Sequence, residues 1–337
     1  MSLAQKIQEA WNKQSNWLVL LRPFAYLYKK AFDYNKQAYL SGRKKVYHAP
    51  IPVMVIGNIT VGGSGKTPLL IALVKYLQKK NIKVGVISRG YGGNGPFPML
   101  VSPTTSVASV GDEPALIVSL THVPMSVGAN RQKSIELLLE NHPDLDFIIS
   151  DDGLQHWALG RDLEWIVVDY KRGLGNEKLL PEGFLREPKE RLQKSTVIEH
   201  FSTEMPDKTL SMYLQIGKPY CLNETKTTFH HEQRFHAVVG IGYPERFYQS
   251  LNQIGVKDIQ KHAFEDHYEY TLSDLIFDDN YPIITTEKDA VKIKAILQND
   301  RTSKVNREVW VLPVEAILSD SCYLLLQQQL HKLNIQI

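Results

Sequence analysis

The sequence is poor in cysteine. Its 337 residues include two, Cys221 and Cys322, far apart and in no metal-type spacing, which argues against a disulfide framework or a cysteine zinc site and fits a reducing compartment. No run reaches the roughly 18–20 apolar residues that a membrane-spanning helix needs. The opening residues, MSLAQKIQEAWNKQ, are too polar for a secretory signal. Internal repeats and low-complexity tracts are missing as well. With 43% hydrophobic and 22% charged residues, the composition is globular, so disordered and fibrous classes drop out. The length suggests two domains, or one large domain with additions.

Net charge is low, +3, but unevenly spread. Residues 1–46 carry Lys6, Lys13, Arg22, Lys29, Lys30, Lys36, Arg43, Lys44 and Lys45 against Glu9 and Asp33, a local +7 that leaves −4 for the remainder. A basic arm on a mildly acidic body calls for an anionic partner. In the same arm Trp11, Trp17, Leu18, Leu20, Leu21, Phe24, Leu27, Tyr28, Ala31 and Phe32 recur at mostly three- and four-residue steps. That spacing predicts amphipathic helix, interrupted near Pro23. Trp and Tyr beside Lys and Arg suit a bilayer interface; a helix packed on its own domain, with a solvated basic face, is the alternative. No nucleic-acid-binding module is recognisable, so nucleic acid is not an expected partner.

From residue 51 apolar strand-like runs alternate with helical patterns: IPVMVIGNI, IKVGVIS, DFIIS, EWIVVD and STVIEH. Such alternation predicts an α/β fold with a parallel sheet covered on both faces. MYLQI and YCLNE flank GKPY as two short strand-like pieces. FHAVVGIGYPERFYQSL and YPIITTEKDAVKIKAIL then restart the pattern, and VWVLPVEAIL reads as a last strand. The expected organisation is a basic amphipathic arm over 1–46, a core domain over 47–210, a hairpin or a linker that serves as hinge over 211–232, a smaller α/β domain over 233–318 and a C-terminal helix over 319–337.

Residues 60–67 read TVGGSGKT between a strand and a helix. This is the phosphate-binding pattern G-x-x-x-x-G-K-[ST], with Thr60 in place of the first glycine. Gly62, Gly63 and Gly65 let backbone N–H groups approach phosphate, with Val61 and Ser64 completing the loop. Lys66 can reach the outer phosphates, and Thr67 can ligate Mg²⁺. A nucleotide triphosphate, ATP above others, is therefore the expected cofactor, on a P-loop NTPase-type core. Such a loop needs a carboxylate at the end of a neighbouring strand to hold the metal. DFIISDDG supplies Asp151 and Asp152, which could otherwise cap a turn. A GTPase or a cofactor-loading ATPase would share these parts, but neither an N-K-x-D box nor a cysteine–histidine metal set is present. A non-catalytic nucleotide sensor is the other alternative.

Further motifs occur in order: SRGYGG (88–93), VGDEP (110–114), GANR (128–131), DDGLQH (151–156), RD (161–162), LPEGFLREP (180–188), EDH (265–267) and TTEKDAVK (285–292). With GNITVGGSGKTP, this set resembles the tetraacyldisaccharide 4′-kinase family, the lipid A 4′-kinases of Gram-negative bacteria, over about residues 17–315. The family accepts Ser or Thr where Thr60 stands. The resemblance implies transfer of phosphate from ATP to the 4′-hydroxyl of an acylated glucosamine disaccharide 1-phosphate, giving lipid IVA. It also implies a peripheral position on the cytoplasmic leaflet of the bacterial inner membrane, which gives the basic arm a reason. Asp112 matches the family's catalytic base and His267 the histidine paired with it. Their places on either side of 211–232 lead to the expectation that the domains must close for the two to meet. Arg131 and Arg186 are candidate cations for the transferred phosphoryl group. Glu187 matches a position near the metal and could complete its shell with Thr67, Asp151 and Asp152. Gln155 and His156 are expected to line the site, and Tyr91 to stack on a sugar or adenine ring or to lie in the core.

Overall fold

The computed structural model describes residues 3–203, 206, 209–223, 227–299, 305 and 307–336. The chain begins with α1 (Leu3–Asn12), a 3-10 turn (Asn16–Leu21) and α2 (Arg22–Leu40). Pro23 lies in the first turn of α2, where a missing N–H costs nothing; the expected interruption is thus a helix start. There follow β1 (Val53–Gly57), α3 (Lys66–Lys79), β2 (Val84–Ser88), β3 (Met99–Val101), α4 (Val107–Val110), α5 (Asp112–Thr121), β4 (Met125–Val127) and α6 (Arg131–Asn141). Next are β5 (Phe147–Asp151), β6 (Leu163–Asp169), β7 (Thr196–Phe201), β8 (Ser211–Ile216), β9 (Tyr220–Cys221), β10 (Phe235–Val239) and α7 (Pro244–Gln253). The chain ends with β11 (Ile259–Ala263), β12 (Ile283–Thr286), α8 (Glu287–Asn299), β13 (Val309–Leu312), β14 (Val314–Leu318) and α9 (Asp320–Lys332).

A nine-stranded sheet runs β14-β8-β7-β6-β1-β5-β2-β4-β3. Every pairing from β8 to β4 is parallel, and only the outermost strands, β14 and β3, run antiparallel. The central strand shows why a continuous apolar run is required. Alternate side chains point to opposite faces: Met54 and Ile56 join the core under α3, α5 and α9, while Val53 and Val55 enter cores on the other face. A second sheet, β11-β10-β12-β13-β9, is parallel except for β9. Phe235, Ala237 and Val239 of β10 face one of its cores and Val238 the other.

The links between the sheets differ in part from expectation. Of the two alternatives for 211–232 the segment is a linker and not a hairpin: β8 extends the large sheet beside β7, and β9 pairs with β13 in the small one. Residues 224–226 of that segment, including the last residue of YCLNE, lie outside the described residues. VWVLPVEAIL is not one strand either. Pro313 has no N–H to continue a ladder, so β13 ends there and β14 crosses to the large sheet, placing Ala316 opposite Leu214. α9 packs on the large sheet through Cys322, Leu326 and Leu330. Strands β3, β4 and β11 went unread because the first two have three residues each and the third, IQKHA, is polar and half exposed.

Candidate active site

A cavity of about 1110 Å³ opens between the two sheets. Its walls come from the segments that follow β1, β2, β4 and β5 of the large sheet and β10, β11, β12 and β13 of the small one. Carboxyl ends of parallel strands are where open α/β sheets place ligands, because the backbone diverges there.

The loop after β1 forms one wall. Gly62 and Gly65 adopt left-handed φ of +95° and +100°. A Cβ on Gly65 would stand 2.6 Å from His200 Nδ1 and 2.7 Å from Met212 Cε, so both conformation and packing demand glycine. Asn58 organises the interior of the loop: its Nδ2 donates to Ser64 Oγ at 3.0 Å and to Thr60 Oγ1 at 3.3 Å, and its Oδ1 accepts from Lys66 Nζ at 3.2 Å. Thr60 is buried and bridged to Leu185. It braces the loop, whereas Val61 to Thr67 line the cavity; a hydroxyl serves that bracing and glycine could not supply it. Arg172 Nη1 holds Val61 O at 2.7 Å from outside.

Asp151 and Asp152 sit at the end of β5 and differ sharply. Burial opposes the charge on Asp152, but Lys66 at 3.5 Å and Arg186 at 2.9 Å outweigh it and bring its carboxyl down to about 2. Asp152 also holds a left-handed φ of +44°, the kind of strain kept where position matters. Asp151 is fully buried; among the described residues Ser88 Oγ at 3.2 Å is the hydrogen-bond donor to one oxygen, and the other oxygen has none. Burial first, then Glu113 and Asp152, push it up to about 7. A buried carboxylate without a cation is costly, so this position fits a metal ion with oxygen ligands. Among the described residues no cluster of three or more His, Cys, Asp and Glu forms a metal site by itself, as expected for a cation that shares its shell with phosphate and water.

The dyad residues are together. His267 Nδ1 lies 2.8 Å from Asp112 Oδ1, joining the large sheet to the loop after β11, so the expectation that they are apart until the domains close does not hold for this structure. Asp112 starts α5 and is 4% exposed; His267 is 21% exposed, has a left-handed φ of +62° and faces the cavity. Burial works against the Asp112 charge, yet the bond to His267 and the ammonium groups of Lys288 and Lys292 hold its carboxyl well below the usual range. Burial likewise opposes protonation of His267, and Asp112 reverses the balance and raises it. Tyr91 is exposed at the cavity mouth, its ring edge-on to His267 with centroids 4.9 Å apart, which rules out the core position. Gly111, before Asp112, has φ +91°, and a Cβ there would meet Tyr91 O at 2.2 Å. Gly111→Ala is expected to destabilise the fold by about 1–3 kcal/mol, read by urea unfolding, with a further loss of activity as Asp112 shifts.

The remaining residues fall into supporting places. Arg131 is buried, donating to Gly128 O at 2.8 Å and Asp151 O at 3.2 Å; burial lowers it to about 10, so it stays charged while bracing the end of β5. Arg186 lines the cavity on Asp152. Glu187 is fully buried, accepting from Gln155 Nε2 at 2.8 Å and lying 3.3 Å from Arg191 Nε. It does not line the cavity, and direct metal ligation would mean giving up those partners. Gln155 bridges Glu187 to Asn58 O at 3.2 Å. Burial, then Arg131 and Arg161, lower His156 to about 4, so it meets a ligand as a neutral ring.

The family model described as tetraacyldisaccharide-1-P 4′-kinase matches residues 17–331. The chain belongs to that family. A tetraacyldisaccharide 4′-kinase of Psychrobacter arcticus is 46% identical across 100% of this chain and 97% of its own length. One from Pseudomonas syringae pv. tomato is 40% identical over 99% and 100%. A solved LpxK from Aquifex aeolicus in complex with ATP superposes with a TM-score of 0.72 at 28% identity, covering 94% of this chain and 99% of that one. The protein is thus a kinase of lipid A biosynthesis acting on the 4′ position of a tetraacyldisaccharide 1-phosphate. Several residues of the kinase's site have places that the sequence does not assign one by one: Asn58, Ser88, Glu113 and Lys292, which stand inside the ordered motifs, and Arg172, which stands outside them.

Proposed function

We propose that ATP is the phosphoryl donor, that its phosphates lie on the 61–67 loop with Mg²⁺, and that the Asp112–His267 dyad receives the proton of the attacking 4′-hydroxyl. The observation that carries this reading is the shared cavity: the loop, the carboxylate pair and His267, with Asp112 behind it, converge on it from two sheets. Its volume, about 1110 Å³, suits a nucleotide together with a sugar headgroup. The 4′-oxygen forms a bond to the γ-phosphorus, the bond to the β–γ bridging oxygen breaks, ADP leaves, and the hydroxyl proton passes to the dyad. Asp112 is the dyad's anionic member, and its place behind His267 makes the imidazole the part that meets the acceptor. Lys66 and Arg186 supply positive charge where the transferred group gains negative charge. Thr67, Asp151 and Asp152 would hold Mg²⁺, which when bound neutralises phosphate charge.

Membrane docking belongs to the same reading. Leu20, Phe24, Leu27 and Tyr34 are 60–72% exposed at helical spacing, with Lys30 and Arg43 close by on the rings of Tyr26 and Tyr34. The opposite face is anchored: Trp11 Nε1 donates to Pro181 O at 3.0 Å and Tyr28 Oη to Arg186 O at 2.8 Å. No described helix is long and apolar enough to cross a membrane. An exposed apolar stripe of this kind, ringed by cations, fits the anionic cytoplasmic leaflet of the inner membrane, where the lipid substrate resides. Leu20→Asp with Leu27→Asp is expected to abolish cosedimentation with anionic vesicles and leave thermal stability unchanged; undiminished binding would remove the arm from this role.

The test of the whole reading is transfer from γ-labelled ATP to disaccharide 1-phosphate in mixed micelles, with and without a chelator. Label in the lipid that disappears on chelation supports donor and metal together. Label that survives exhaustive chelation would eliminate Mg²⁺, and nucleotide binding without lipid label would eliminate the donor assignment.

A further inference from the structure

Helix α8 presents Lys288 and Lys292, one turn apart, to the dyad. Lys292 Nζ lies 3.3 Å from Asp112 Oδ2 and 3.2 Å from Asp289 Oδ1, over the ring of Tyr270 at 5.1 Å. Lys288 Nζ lies 3.1 Å from Asp266 Oδ1, 3.2 Å from Glu113 Oε1, 3.4 Å from His267 Nε2 and 4.0 Å from Asp112 Oδ2. Asp112 thus divides its two oxygens. Oδ1 serves His267 and the Glu113 N–H at 2.8 Å, and Oδ2, with no hydrogen-bond donor among the described residues, has the two lysines as ion-pair partners.

The charge balance shows what the lysines are for. Asp289 is fully buried and already accepts from Gly240 N at 3.1 Å and Thr286 Oγ1 at 2.8 Å through its Oδ2. Lys292 therefore bridges two buried carboxylates across the two sheets: Asp289 on its own helix, whose Oδ1 has no hydrogen-bond donor among the described residues, and Asp112 on α5. Without that ammonium, Asp112 would be a carboxylate at 4% exposure held by a histidine that is itself meant to change protonation and by Lys288, which is farther off at 4.0 Å and shared with Glu113 and Asp266. Desolvation then favours the neutral acid. An ammonium is also a donor only, so Lys288 beside His267 Nε2 favours the imidazole form whose proton sits on Nδ1, pointing at Asp112.

We propose that Lys292, supported by Lys288, is a positioning residue for phosphoryl transfer, keeping the buried Asp112 ionised and aimed at His267. The proposal rests on the dyad reading above. Lys292 does not line the cavity, so it acts through Asp112 and not on a substrate.

The sign follows from the groups that face the dyad: Lys288 and Lys292 from α8, Asp266, whose carboxylate lies 3.8 Å from His267 Nε2 and works against them, Tyr91 edge-on to the imidazole, and, paired with the lysines, Glu113 and Asp289. Both lysines oppose protonation of the dyad, so losing either moves the acid limb of the pH–rate profile to higher pH. The experiment is the pH dependence of kcat/KM for the disaccharide in Lys292→Met, Lys292→Arg and Asp112→Asn, with folding followed by circular dichroism. Lys292→Met should move the acid limb upward by about one pH unit or more, lower kcat near neutrality by roughly tenfold with recovery at alkaline pH, and leave the KM for ATP within about twofold. Lys292→Arg should keep the wild-type limb. If Asp112→Asn is inactive while the limb of Lys292→Met stays in place, the proposal is overturned and the dyad survives. If Asp112→Asn turns over normally, the dyad reading itself falls, and this proposal with it. Should Lys292→Met not fold, Lys288→Gln takes its place, expected to shift the limb in the same direction; an unmoved limb in that variant overturns the proposal equally.

Discussion

Replacing Asp112 with alanine is expected to lower kcat/KM for the disaccharide by at least about 100-fold, the lower end for a general base, or about 2.7 kcal/mol of transition-state stabilisation. Three consequences combine. The dyad loses its anion, so the imidazole beside the 4′-hydroxyl becomes a weaker proton acceptor. His267 loses the 2.8 Å bond that raises its proton affinity and fixes its orientation. Lys288 and Lys292, 17% and 11% exposed, are left facing a gap with less negative charge. The first two effects act on catalysis and the third on stability, so urea unfolding must accompany the kinetics. Asp112→Asn separates them, because it keeps the shape of the site and removes only the charge. A rate within tenfold of wild type for both variants would end the role of Asp112 in proton transfer.

Lys66→Met is expected to cost about 100- to 1000-fold in kcat, the size seen when one preorganised donor is taken from a developing charge. Lys66 is 12% exposed, and its ammonium lies 3.2 Å from Asn58 Oδ1 and 3.5 Å from Asp152 Oδ1. It is thus already oriented at the point where the outer phosphates would lie. The thioether fills the same volume without charge, so the backbone of the loop can keep its form and ATP can still bind. A loss confined to kcat would show that the interaction strengthens in the transition state. A rise in the KM for ATP at constant kcat would place Lys66 in ground-state binding alone. An unchanged rate would remove it from the site.

The parts of the site that were legible in the sequence are those set by local rules. A Gly-rich loop between a strand and a helix has few other uses, and Gly62 and Gly65 adopt the positive φ that such a loop needs. Two aspartates after an apolar strand are brought to the same edge as that loop by any parallel sheet, and β5 does pair beside β1. Thr60 was legible as a departure from the pattern but not as a brace, since its hydroxyl is held by Asn58 Nδ2 only once the loop has folded and its backbone is bridged to Leu185, 125 positions away. The inequality of Asp151 and Asp152 was hidden for a similar reason: it depends on which of the two meets Lys66 and Arg186 and which is left with Ser88.

The sequence by itself determined the α/β class, the Gly-rich loop between strand and helix, the adjacent aspartates, the amphipathic arm and, through motifs ordered along the chain, the family. All but the last depend on neighbouring residues, whose geometry is set by backbone dihedrals and side-chain periodicity. Only the tertiary structure decided that β14 returns to the large sheet after Pro313, that Asp112 lies behind His267, and that α8 brings two lysines to them. Those outcomes turn on burial and on charges from distant segments. A carboxylate's proton affinity is a property of everything within a few ångströms of it, and only folding determines what those neighbours are.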